Sequence, residues 1–357
     1  AGYAENCANT GDVSGAHQYI GGVAGNASSI QNCTNAGAVR VRGVFVSLRD
    51  RYEGGYVGGV AGAAGTASGC ENRGRVESAA DGGIFISSAA GVAGKCANST
   101  ANCENRGDVR VDGSYIAGVV GGNGGGSVVQ CVNYGSVQNQ ANGGEQTGGV
   151  ASAGQIESSC NYGSVRGYQS VGGVCGGTSG STVRNCYNLG AVSGSNRTGG
   201  VAGVCLSAEW CYSAGSVSCR GNAAGMLAGS VSRAENCFYL NENAGVYSRA
   251  GEALDADALR LCMRDAEAYR INFDRDCQSG YALLNFQTAG EAVPADSVRL
   301  LPGAAREYSA RLGGELRGLP GQVEIAAGGI EIRCAPEGAV FYIANDITGR
   351  VFADADG

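Results

Sequence analysis

The chain has 357 residues, a formal net charge of −7, 64 Gly, 16 Cys, and a single Lys (Lys95) among 25 basic residues. Most Arg stand beside Asp or Glu, so no basic stripe exists to hold a nucleic acid, and no apolar run is long enough to cross a membrane. Gly without a three-residue period excludes a collagen triple helix, and one histidine, His17, excludes His-pair metal sites and the His-Glu-x-x-His zinc motif.

From residue 1 to about 240 the chain repeats one phrase eight times, Cys-x-Asn-x-Gly-x-Val followed by Gly-Gly-Val-Ala-Gly. The first copy runs from Cys7 to Val13 with Gly21–Gly25, and the eighth, from Cys211 to Val217, is followed by Ala224-Gly225-Met226-Leu227-Ala228. Fixed residues at every second position predict a half-buried strand through the whole first block, and Gly and Asn at fixed offsets supply turns. A unit of about 28 residues with two or three short strands buries a face only by coiling and stacking. The fold class expected is all-β: a right-handed parallel β-solenoid of about eight rungs, the hand following from the rule for parallel crossovers. Stacking at ~4.8 Å per rung aligns Asn9, Asn35, Asn72, Asn105, Asn133, Asn161 and Asn188, with Ser213 in the eighth place. Side chains in such a file can hydrogen-bond along the axis.

Eight cysteines hold one ladder position: Cys7, Cys33, Cys70, Cys103, Cys131, Cys186, Cys211 and Cys237. Ser159 takes that place in rung six. Neighbours at ~4.8 Å stand slightly beyond the Cβ separation of a relaxed disulfide, which favours buried thiols over stacked disulfides or a metal–thiolate array, and no Cys-x-x-Cys occurs. No metal and no cofactor is expected.

After Leu240 the repeat stops. Residues 241–287 read as a capping segment in which Leu259, Cys262, Met263 and Ala266 fall at helical spacing, with Asp255 or Asp257 as N-cap. This helix is expected to cover the exposed edge of the last rung, and Cys262 and Cys277 could pair there. Residues 288–357 alternate like short strands at Ser297–Leu301, Gln322–Ile325, Gly329–Arg333 and Ala339–Ile343, which predicts a small antiparallel, sandwich-like β module.

The repeated phrase resembles the GLUG-type repeats of bacterial cell-surface, adhesin-like proteins, and Cys237–Leu240 with Gly280–Leu284 is similar to the way such arrays end. The resemblance implies an exported, extracellular protein on the bacterial surface, longer than this chain, which opens almost inside a repeat. It also implies a non-catalytic adhesion or display scaffold with a host or environmental glycan or surface protein as partner. A polysaccharide-active or carbohydrate-binding β-helix and a purely structural stalk are the alternatives.

Insertions point to where a ligand would sit. From the repeat Val to the following Gly-Gly block the step is seven or eight residues in five rungs. It grows to 19 in rung two (Val39 to Gly58), 14 in rung three (Val76 to Ala90) and 11 in rung five (Val137 to Gly148). Insertions at one corner build a ridge, the usual binding edge of a solenoid. The candidate binding residues there are Arg49, Asp50, Arg51, Tyr52 and Glu53 in rung two, Phe85 in rung three, and Gln138, Gln140 and Glu145 in rung five. Tyr, Arg and amides suit sugar or peptide surfaces, although drift in tolerant loops gives the same pattern. Glu71 and Glu104 are the candidate catalytic pair of the enzyme alternative. Stacking sets them one rung apart, near the ~5–5.5 Å of a retaining glycosidase, and polysaccharide-cleaving β-helices such as pectate lyases work on such a face. With Arg73, Arg75 and Arg106 alongside, ordinary cross-strand ion pairing is the simpler reading. Arg106-Gly107-Asp108 spells an integrin-binding tripeptide but falls on the repeat Gly, not on an exposed loop.

Overall fold

Each copy of the repeat closes one turn of a parallel β-solenoid. The computed structural model describes residues 2–16, 18–42, 55–78, 86–122, 126–139, 144–221, 223–241, 246, 248–263, 265–270, 272 and 278–287, and the strand backbones at 322–326 and 329–333. The first turn contains Ala8–Asn9, Val13–Gly15, Tyr19–Gly21 and Ala24–Gln31. These pair in parallel with Thr34–Asn35, Val39–Val41, Tyr56–Gly58 and Ala61–Ser68 of the next turn. Four parallel sheets result, called first to fourth in that order, with 10, 8, 8 and 10 strands among the described residues. The turn therefore has four sides where two or three strands were expected.

The extra corner lies inside the block that its alternation predicts to be one strand. The chain bends at the repeat Gly, so Asn and Val occupy different sheets. A Cβ on Gly37 would lie 1.9 Å from the carbonyl oxygen of Gly11, and Gly107 and Gly190 would each meet the preceding turn's Gly oxygen at 2.0 Å. Only glycine lets successive corners nest this closely. Register is preserved throughout: Val13, Val39, Val76, Val109, Val137, Val165, Val192 and Val217 are successive partners on the second sheet.

Asn side chains fill the first corner. From Asn9 to Asn188, each Nδ2 donates to the carbonyl of the Gly two residues on at 2.7–2.8 Å. The other Nδ2 hydrogen of each donates to Oδ1 of the next Asn, at 2.7–2.9 Å, through the six links from Asn9 to Asn188. Both donors of the buried amides from Asn35 to Asn161 are thereby used. Oδ1 also fixes the thickness of the coil: a Cβ on Gly91, at the second position of its block, would sit 2.0 Å from Asn105 Oδ1. The file stops at Ser213, whose buried hydroxyl lacks a hydrogen-bond partner. Ser213→Asn should extend it by one link, since Gly200 leaves the same space there. A gain of about 1 kcal/mol is expected, read as a raised midpoint in urea unfolding; a lowered midpoint would show that the eighth rung is shaped differently.

At the corner between the fourth and first sheets the residue before the ladder Cys is left-handed. Its φ is near 50° at Asn6, Asn32, Asn102, Asn185 and Asn236, and also at Gln130, Ser158 and Trp210, while Gly69 has φ 60°. Asn and Gly tolerate this region best. The bend aims each thiol back at the carbonyl two residues earlier, with Sγ–O distances of 3.0–3.3 Å, and Ser159 Oγ makes the same bond at 2.8 Å.

The interior divides into two apolar strips. One joins the ladder cysteines to the Val, Ala and Ile of the fourth sheet and its block; the other joins the Val file to Ile20, Val57, Ile116 and Val171 of the third sheet. Cys33, Cys70, Cys103, Cys131, Cys186, Cys211 and Cys237 are buried thiols. Burial pushes Cys160 and Cys205 up to about 12 and raises Cys175 and Cys211. Cys70 and Cys237 rise through hydrogen bonding to the neighbouring ladder thiols, with burial adding to it. Because the thiolate is the nucleophile, iodoacetamide at pH 8 should label exposed Cys7 in the native protein and spare these cysteines until denaturant is added. Mass-spectrometric labelling that spreads evenly over all of them would contradict the packing.

The strand Glu252–Leu254 adds to Phe238–Leu240 on the first sheet, and the solenoid unit extends to Asp255. In the second unit, residues 256–357, the α-helix Ala256–Leu261 follows Asp255 and carries an Asp257–Arg260 ion pair of 2.7 Å, and Gln278–Gly280 forms a 3-10 turn. The helix begins right after Asp255, one of the two expected N-caps, but ends sooner than predicted: Cys262, Met263 and Ala266 lie beyond it, where Met263 and Ala266 are still buried. Tyr269–Arg270 pairs antiparallel with Leu283–Leu284, and Gln322–Ala326 forms an antiparallel pair with Gly329–Arg333. Cys277 and the strands expected at 297–301 and 339–343 lie outside the described residues.

Candidate functional site

The corner between the second and third sheets is the one that varies. Val39–Val41 and Tyr56–Gly58 are joined across a long step in rung two, whereas Val109–Arg110 and Gly113–Ala117 are almost continuous. Of the candidates on this ridge, Arg49, Asp50, Arg51, Tyr52, Glu53, Phe85 and Gln140 lie outside the described residues, as does His17. Gln138 projects from the outer face of the second sheet, between Arg110 and Arg166 in register. Glu145 is exposed. Burial raises the pKa of the Tyr115 hydroxyl, and its hydrogen bond to the Glu145 carboxylate raises it further.

Glu71 and Glu104 are direct register partners on the first sheet, but both carboxylates are occupied. Arg73 grips Glu71 with two bonds, of 2.7 and 2.9 Å. Arg106 lies 3.3 Å from Glu71, pairs with Glu104, and stacks 4.5 Å above the Tyr134 ring. Burial raises the Glu104 pKa against the pull of Arg106, and the charge on Glu71 adds to the rise. The cluster is a cross-strand ion-pair network continued by stacked tyrosines, Tyr134 on Tyr162 and Tyr187 on Tyr212, each pair at 4.9 Å. Tyr187 and Tyr212 are fully buried, so those rings serve packing. In Arg106-Gly107-Asp108, Asp108 accepts hydrogen bonds from the backbone and hydroxyl of Ser136, at 3.0 and 2.7 Å. The tripeptide is a locked corner.

A cleft of about 590 Å³ opens on the variable corner in rungs five to eight. Its lining includes Arg166, Tyr168, Ser193, Ser195, Ser218 and Arg220. Two glycines account for the depression. The inward position that Val41 and Val111 fill in rungs two and four is Gly167 in rung six and Gly194 in rung seven. Without side chains there, these corners settle onto the third sheet. A Cβ on Gly167 would meet Thr147 Oγ1 at 2.5 Å, and one on Gly194 would meet Thr198 Oγ1 at 2.3 Å. Thr198 Oγ1 is buried and has no hydrogen-bond partner. The rim is held by backbone bonds between turns, Gly167 N to Ser193 O and Arg220 N to Gly194 O, both 3.1 Å, and Ser195 N to Tyr168 O at 3.0 Å.

Arg166, Tyr168 and Arg220 sit in short corners, so the long insertions do not mark them. The usable signal is the change from Val41 and Val111 to Gly167 and Gly194 at an inward position.

No family model matches the chain, and neither the curated proteins nor the solved structures compared with it show a significant match.

Proposed function

We propose that the solenoid is a non-catalytic display scaffold of a bacterial surface protein that meets a glycan or a protein through the corner between its second and third sheets. The observation that carries this reading is the contrast between corners. The first is locked by the Asn file, the one before the ladder Cys by repeated left-handed residues, and the Gly-Gly corner by contact with Asn Oδ1. The remaining corner changes length from rung to rung and holds the cleft. A scaffold this continuous presents its loops without the ordering cost that flexible segments incur on binding. The Arg partners of Glu71 and Glu104 weigh against using that pair for glycoside cleavage.

An array of mucin glycans, plant polysaccharides and matrix proteins, probed with the intact chain and with a form lacking residues 44–54, tests the reading. Binding by the intact chain that is lost or weakened by changes at this corner is expected, with no saccharide turnover. Silence of both forms would favour a stalk. Turnover abolished by Glu71→Gln and Glu104→Gln in a folded protein would favour the enzyme.

A further inference from the structure

We propose that the cleft in rungs five to eight binds a carboxylate-bearing saccharide; this deepens the surface-binding reading and rests on it. Its charge pattern is the first argument. On a chain of net charge −7, Arg40, Arg73, Arg75, Arg106, Arg184 and Arg233 all pair with acidic side chains. Arg166 and Arg220, like Arg42, Arg110 and Arg197, have no acidic partner among the described residues, but these two share one cleft that no Asp or Glu lines. Two exposed guanidiniums facing one depression make a site for anions, and the planar fork of Arg matches a carboxylate.

The remaining lining fits a sugar better than a bare anion. Tyr168, 38% exposed, offers a ring face against which the C–H face of a pyranose can lie. Ser193 and Ser218 are successive register partners of Arg166, and with Ser195 they offer hydroxyls that donate to or accept from sugar hydroxyls. Arg166 belongs to rung six and Arg220 follows Ser218 of rung eight, so two rung spacings, ~10 Å, separate their strands. A site that long accommodates one or two sugar units, and the volume of about 590 Å³ falls within the range of small-ligand pockets, about 300–1,000 Å³. The cleft is formed by backbone bonds between turns and needs no closure to be complete.

The test is titration of the full chain with a sialylated trisaccharide, a galacturonate oligomer and a hyaluronan oligomer, each beside its carboxyl-reduced counterpart, and with a sulfated glycan. The expected result is binding of at least one carboxylated probe, with at least tenfold weaker affinity after carboxyl reduction and in the Arg166→Gln/Arg220→Gln double variant. Tyr168→Ala should also weaken binding. All three positions are exposed, and an unchanged circular dichroism melt confirms that the variants fold. Equal binding of the reduced probes, preference for the sulfated glycan, binding unchanged in the double variant, or no binding of any carboxylated probe would each overturn the assignment. In those cases, array binding lost with residues 44–54 would leave the surface-binding reading standing; an array silent for the intact chain would remove both.

Discussion

Asn105→Ala is expected to lower the free energy of unfolding by about 3–5 kcal/mol, as truncation of any interior member of the Asn file should. The substitution removes three hydrogen bonds in a fully buried place. Asn72 loses the acceptor it reaches at 2.8 Å, while the Gly107 carbonyl and Asn133 Oδ1 lose donors at 2.8 and 2.7 Å. Each stranded group costs about 1–3 kcal/mol, and a hole the size of an amide is left beside Gly91. Asn9→Ala is the control: Asn9 stands at the end of the file and is only half-buried, so its loss should cost about 1 kcal/mol. Urea unfolding of the two variants checks the difference; similar losses would mean that the file contributes no more than isolated hydrogen bonds.

Gly149→Ala should be worse, since its obstacle is backbone. The added Cβ would lie 1.8 Å from the Gly173 carbonyl oxygen and 2.4 Å from Asn161 Cγ. Neither can retreat without breaking the parallel bonds of adjacent turns, so the rung must open. The expected loss exceeds about 4 kcal/mol, seen as failure to recover folded protein or a sharply lowered melting temperature. Gly180→Ala, where the nearest atom is 3.9 Å away, should change stability by no more than about 0.5 kcal/mol. A Gly149→Ala protein as stable as Gly180→Ala would show that the turns do not stack this tightly.

Much of the scaffold was legible because a solenoid repeats its constraints. The file from Asn9 to Asn188, the Val file and the Cys positions could be read from spacing alone, since like stacks on like when every turn is in register. The number of sides could not. Alternation looks the same in one bent segment as in two strands, and only the contact between Gly37 and the Gly11 carbonyl shows that the chain must turn there. The left-handed residue before each ladder position was not legible because Gly69, Gln130, Ser158 and Trp210 break the run of Asn. The helix was drawn too long because burial of Met263 and Ala266 mimics helical spacing in turns. Site residues were harder still. Insertion length marks a corner, but the cleft arises where side chains are missing, at Gly167 and Gly194, and its chemistry comes from three rungs that no local motif connects.

A rigid Asn file holds the variable corner at fixed spacing, and side-chain amide exchange tests that rigidity most directly. In an NMR exchange experiment the Nδ2 protons of Asn72, Asn105, Asn133 and Asn161 should exchange as slowly as core backbone amides, while those of Asn26, which is exposed, exchange at the rate of a free amide. Ladder protons that exchange as fast as those of Asn26 would contradict the file, and with it the scaffold on which the binding corner depends.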